Sequence, residues 1–134
     1  MPMKRIMLAG ALLLLSFIGL QAQSFKLVLK GDWPEAAADV AVQRFTQMLQ
    51  GGGFTLADDG TPFEISFVKS SSMETSGSMS QTAITGFVEA SAGSVKESFP
   101  VKGVGNGEAD AILRAVKQIL PRSKAAQAFV EKLR

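Results

Sequence analysis

The chain has 134 residues, with 14 lysines and arginines against 12 aspartates and glutamates, and it has neither cysteine nor histidine. This composition excludes a disulfide framework, a zinc site of thiolates and imidazoles, and a nucleophile served by a histidine base. The formal charge of +2 comes entirely from residues 1–22, which hold Lys4 and Arg5 and no acid, so the remainder is neutral and unsuited to a nucleic acid partner.

Those first residues read as a secretory signal: a basic start, an apolar run from Ile6 to Leu20, and the small residue Ala22 at the expected cleavage point. The run is shorter than the roughly 20 residues a bilayer-spanning helix needs. No cysteine follows the cleavage point, which excludes a lipid-modified lipoprotein. The expectation is a signal peptide over 1–22 and a single exported domain over 23–134, periplasmic or secreted, with no transmembrane segment after cleavage. Packing without disulfides fits a bacterial envelope better than a small animal-secreted scaffold.

In chain order, Phe25, Leu27 and Leu29 alternate as one face of a strand. Pro34 then opens a helix that Asp32 is placed to cap, with Ala37, Ala41, Phe45, Met48 and Leu49 at helical spacing, and Gly51–Gly53 ends it. Phe54–Ala57 and Phe63–Lys69 read as strands joined through the turn-rich Asp58–Pro62. A hairpin follows over Thr82–Val104, with Ile84 and Val88 on one strand, Val95, Phe99 and Val101 on the next, and the turn at Ser91–Ser94. Pro100 requires that second strand to be an edge or to bulge. Ala109, Ile112, Leu113, Val116, Ile119 and Leu120 make a helical stripe broken by Pro121, and Ser123 caps a last helix with Ala126, Phe129, Val130 and Leu133 inward. The order β-α-β-β-β-β-α-α predicts an α+β two-layer sandwich, a mainly antiparallel sheet with its helices on one face.

The chemistry-bearing motifs are weak. Gly103, Gly105 and Gly107 precede a helix as in a phosphate cradle, but Glu108 stands where a dinucleotide fingerprint needs glycine. Glu108 and Asp110 also place negative charge at the helix end that would have to hold a phosphate. These three glycines are therefore expected to serve a structural turn, with Asn106 or Gly107 as cap and Ala109 packing closely. Ser66 and Lys69 match the Ser-x-x-Lys spacing of penicillin-binding enzymes, yet residues three apart on a strand face opposite ways, and the companion motifs are missing. Met73 and Met79, without histidine or cysteine, make a poor copper site. Asp58 and Asp59 could meet Glu64 for calcium but lack an EF-hand spacing. Trp33, beside a helix start, reads as a packing or rim residue. No catalytic set, metal site or cofactor is expected.

Two features remain for partner contact. The polar stretch Ser70–Thr82 reads as a long hairpin tip or strand extension, and Ser72, Met73, Glu74 and Met79 are its candidate contact residues. Charge is also uneven: Gly31–Glu64 holds six acids against Arg44, and Arg114–Arg134 six bases against Glu131. Solvated helix faces account for this, with a surface for an acidic partner as the alternative.

A strand, a helix ending in Gly-Phe-Thr-Leu (Gly53–Leu56), further strands, and Val-x-Gly-x-Gly (Val101–Gly105) before an Ala-rich helix resemble small bacterial envelope domains. These are the domains of the curli-secretion lipoprotein and penicillin-binding-protein activator group and of flagellar-associated periplasmic proteins. The resemblance implies a non-catalytic assembly or adaptor role, and the missing lipobox cysteine departs from its lipoprotein members. The order is also similar to cystatin-like folds, without their Gln-x-Val-x-Gly loop. The expected function is an exported, non-enzymatic domain that contacts another envelope protein. The alternatives are a small-ligand-binding module and a hydrolase with an unrecognised site.

Overall fold

The computed structural model describes residues 23–75 and 81–134. The signal segment and Met79 lie outside that range. The elements run β1 (Ser24–Lys30), α1 (Glu35–Gly51), β2 (Thr55–Leu56), β3 (Thr61–Thr75), β4 (Gln81–Ala92), β5 (Val95–Gly105), α2 (Glu108–Val116) and α3 (Lys124–Leu133). This is the α+β order that the periodicity predicts.

Strand order in the sheet is β2-β1-β3-β4-β5. β3, β4 and β5 form a long antiparallel meander, whereas β1 is parallel to both of its neighbours. The two strands expected to be joined by Asp58–Pro62 are therefore not paired with each other. β1 lies between them, and Phe25 is aligned with Leu56 on one side and Thr61 on the other. The connection passes over the β1 backbone at Gly60, where a Cβ would lie 2.7 Å from the Phe25 nitrogen.

Alternation then sorts the sheet into two faces. Phe25, Phe63, Ile65, Ile84, Val88, Ala90, Phe99 and Val101 are buried beneath the helices. Phe63 packs against Phe25, Phe45 and Phe129 with ring centroids 5.7, 5.8 and 5.8 Å away, tying the sheet to α1 and α3. Phe99 closes the cluster against Phe45 and Phe129 at 5.8 and 5.7 Å. Such pairs add about 0.5–1.5 kcal/mol each beyond area burial. Trp33 stands edge-on to Phe67 at 6.2 Å and donates its indole N–H to the Lys30 carbonyl, a packing role at the rim.

Helix ends follow the expectations unevenly. Ser123 caps α3 by accepting from the Ala126 amide at 3.2 Å. α1 instead has Pro34 at its N-cap with no side-chain cap, so Asp32 does not cap. The helix begins two residues later than an Asp32 cap requires, and proline offers no side-chain acceptor to the first helical amides. In α2 the buried positions are Ala111, Ile112, Ala115 and Val116. Ala109 is exposed and so is Leu120, 56% accessible, beyond the helix end. The stripe is turned because α2 faces a strand without side chains at two positions.

Candidate functional site

That strand is β5, and the glycines Gly103 and Gly105 are residues of it, not of a turn. Gly103 is aligned with Ile84 and Gly105 with Thr82 on the helix-covered face. A Cβ on Gly103 would stand 2.2 Å from the Ala111 carbonyl oxygen and 2.5 Å from the Ala115 nitrogen; one on Gly105 would stand 2.4 Å from the Asp110 carboxylate. Only Gly107 turns the chain, at φ 98 as the N-cap of α2. Here the glycines allow backbone-to-backbone approach and one left-handed turn.

The same geometry shows what the loop does with its amides. The Asn106 N–H donates to Asp110 Oδ2 at 2.9 Å, and Arg114 Nε donates to the same oxygen at 3.1 Å. These bonds, the backbone one foremost, hold the Asp110 carboxyl below its usual range. An anion thus already occupies the position, and it is the chain's own. Glu108 beside it is paired with Lys69 at 3.1 Å. Lys69 therefore points to the helix side, whereas Ser66 lies on the other face in line with Lys30 and Glu89. The Ser-x-x-Lys pair is not brought together.

The acids of the supposed calcium cluster also stay apart. Glu64 pairs with Lys30 at 3.8 Å, and among the described residues no group of three potential metal ligands forms.

The polar stretch is strand, not loop, as far as Thr75. Past Lys69 β3 continues as an exposed outer strand on β4, pairing Ser72 with Ile84, Met73 with Ala83, Glu74 with Thr82 and Thr75 with Gln81. β5 accompanies β4 on its other side as far as Gly105 opposite Thr82; this outer stretch of β3 with β4 is the arm. A bulge between Lys69 and Ser71 absorbs Ser70, whose hydroxyl donates to the Thr85 carbonyl at 3.1 Å. Ser71 and Thr85 hydroxyls bond across the strands, and Thr75 Oγ1 both accepts from the Gln81 amide at 3.1 Å and donates to its carbonyl at 3.2 Å. Serine and threonine are used here as cross-links between exposed strands. Ser72 and Glu74 share the helix-side face of the arm; Met73 faces the other way and is 68% exposed.

On that uncovered face the register lines up side chains the sequence does not bring together. Val68, Phe87 and Pro100 form one row across β3, β4 and β5; Met73, Ala83 and Val104 form another. Ser71, Thr85 and Lys102 lie between them. Among the described residues six large apolar side chains are exposed, and four of them belong to these rows: Val68, Met73, Phe87 and Val104. A shallow cavity of about 390 Å³ adjoins the patch at Ser70, Thr85, Phe87, Pro100 and Lys102. Sequence reading found Met73 but missed Val68, Phe87 and Val104. Their common face depends on the bulge and on the three-strand register, and neither is a local signal.

No protein family matches the chain, and no curated protein matches it. Among solved structures the chain is similar to a minor lipoprotein of Acinetobacter baumannii, at 9% identity and a TM-score of 0.43 over 83% of this chain and 91% of that one. It is also similar to PelC of Paraburkholderia phytofirmans, solved as a dodecamer, at 12% identity and a TM-score of 0.33 over 83% of this chain and 79% of that one.

Proposed function

We propose that the chain is an exported, non-enzymatic domain that acts in the bacterial envelope by contacting another envelope protein through the uncovered face of β3, β4 and β5. The observation that carries this reading is the pair of apolar rows, Val68–Phe87–Pro100 and Met73–Ala83–Val104, on the face away from the helices. Exposed apolar side chains scattered singly are ordinary, whereas their collection on one face suits a contact surface. Export is supported by the charged, apolar and small-residue pattern of 1–22. The non-enzymatic reading is supported by the separation of Ser66 from Lys69 and by the ion pairs Lys69–Glu108 and Lys30–Glu64.

The test places a photo-crosslinking residue at Phe87 in the native cell. The expected result is one crosslinked envelope protein, with the adduct lost on Val104→Glu. Absence of any adduct, together with a saturable melting shift on adding a small envelope lipid or glycan, would favour the ligand-binding alternative. Recovery of the chain from the cytosol with 1–22 intact would overturn the export reading.

A further inference from the structure

The geometry points to a second contact site, at the outer edge of β1, that takes an extended acidic-apolar segment of another protein as an added strand. This site is separate from the proposed contact face and does not rest on it. β2 covers only the first part of β1: its residues Thr55 and Leu56 are aligned with Ser24 and Phe25, and the ladder stops there. On that side the carbonyls of Gln23 and Phe25 accept from the Thr55 and Ala57 amides at 3.1 and 2.9 Å. Backbone polar groups of alternate strand residues point the same way, so the N–H and C=O of Leu27 and Leu29 continue the row outward. No strand among the described residues pairs with them there.

Beside this edge lies a groove of about 280 Å³ between the sheet and α1, lined by Leu27, Val42, Thr46 and Leu56, with Phe25 at its base. Val42 is 38% exposed although it stands on a helix that packs on the core. An incoming strand hydrogen-bonded to Leu27 and Leu29 would set alternate side chains into this groove, and apolar ones would cover Leu27 and Val42. Its remaining side chains would emerge on the opposite face beside Lys26 and Lys30. Lys26 forms no ion pair among the described residues, and the Lys30–Glu64 pair at 3.8 Å is open to solvent, with side chains 56% and 46% exposed, so Lys30 stays accessible to a second acid. Asp58, the one acid of the lining, follows directly on β2 and so stands at the end of the groove away from Lys30. Acidic residues are therefore favoured toward the Lys30 end.

The same lysines argue against a second copy of this chain as the occupant. Two β1 edges paired antiparallel about Val28 would set Lys26 opposite Lys30, and like charges directly opposite destabilise a strand pair. Pairing with the free edge of β5 is opposed by that edge itself. On that edge Pro100 supplies no amide and Gln118 Oε1 already accepts from the Lys102 amide at 3.1 Å. One edge is blocked and the other is open but charged.

The test uses the whole mature chain with two synthetic octapeptides, one alternating valine with glutamate and one alternating valine with lysine. The acidic peptide should bind saturably and slow amide exchange at Leu27 and Leu29 at least tenfold. The basic peptide should bind at least tenfold more weakly, and Lys26→Glu with Lys30→Glu should invert that order. Leu29→Pro removes an outward amide without breaking a β1–β3 bond and should abolish acidic-peptide binding; if it unfolds the chain, Val42→Glu provides the same reading from the groove wall. Phe87→Glu should leave peptide binding unchanged, which separates this site from the proposed contact face. Equal binding of both peptides, protection at the β5 edge instead, or protection of Leu27 and Leu29 by self-association would overturn the proposal.

Discussion

The junction of β5 with α2 and the arm of β3 with β4 are both written in small residues, glycine and alanine in one and serine and threonine in the other, and they have opposite fates. At the junction a helix lies on the strand, and the lack of side chains at Gly103 and Gly105 lets Ala111 and Ala115 approach the strand backbone. Along the arm every β3 side chain from Ser70 to Thr75 is exposed, and the hydroxyls of Ser70, Ser71, Thr75 and Thr85 bond across to the neighbouring strand. Small residues thus signal close packing where an apolar element follows, and hydroxyl cross-linking where none does. The junction is the dry, intolerant region; the arm is wet and permissive.

The largest expected effect tests the intolerance. Gly103→Val should destabilise the chain by about 3 kcal/mol or more, because its side chain must displace the α2 backbone and overpacking alone typically costs about 1–3 kcal/mol. Denaturant melts measure this, and a loss near zero would mean that α2 does not rest on β5. Next comes the cap of the last helix: Ser123→Ala should cost about 1 kcal/mol in the same melts, and an unchanged midpoint would remove the role of its bond to Ala126.

Asp110→Asn sharpens the comparison through pH. Because the folded carboxyl titrates below its usual range, the charged form adds stability that is present above the ordinary carboxylate pKa near 3.9 and is lost as pH falls through the lower folded value. Wild type should therefore exceed Asp110→Asn in stability at neutral pH, and the gap should close in acid. A gap independent of pH would assign the effect to packing against Gly105. The smallest effect belongs to the arm: Thr85→Val keeps the strand-favouring shape and should change stability by no more than about 0.5 kcal/mol. A loss as large as that of Ser123→Ala would mean that the hydroxyl ladder stabilises the whole sheet.

Local periodicity made the element order and most of the core legible, since Phe45, Met48 and Leu49 or Phe63 and Ile65 announce a face within a few residues. It could not place β1 between β2 and β3, because that pairing is decided by Phe25 meeting residues some thirty positions away. It shifted the α2 stripe toward Ala109 and Leu120, since hydrophobicity weighs leucine above the alanines that fit against glycine. It assigned the helix cap to Asp32, whereas the helix starts later and Pro34 occupies that position. In the candidate site, composition points to Ser72, Met73 and Glu74, but Val68, Phe87 and Val104 share Met73's face only through cross-strand register.

The bulge at Ser70 carries a final consequence. Because it absorbs one residue, Met73 faces outward while Ser72 and Glu74 lie on the helix side. Were the bulge to straighten with β4 held in place, the strand beyond Lys69 would slip by one residue and every side chain of that segment would change sides. Met73 would swing to the helix side opposite Thr82, Ser72 would take its place in the row with Ala83 and Val104, and Glu74 would emerge just beyond it. A single supernumerary serine thereby sets the polarity of the arm, oily outward in one register and acidic in the other.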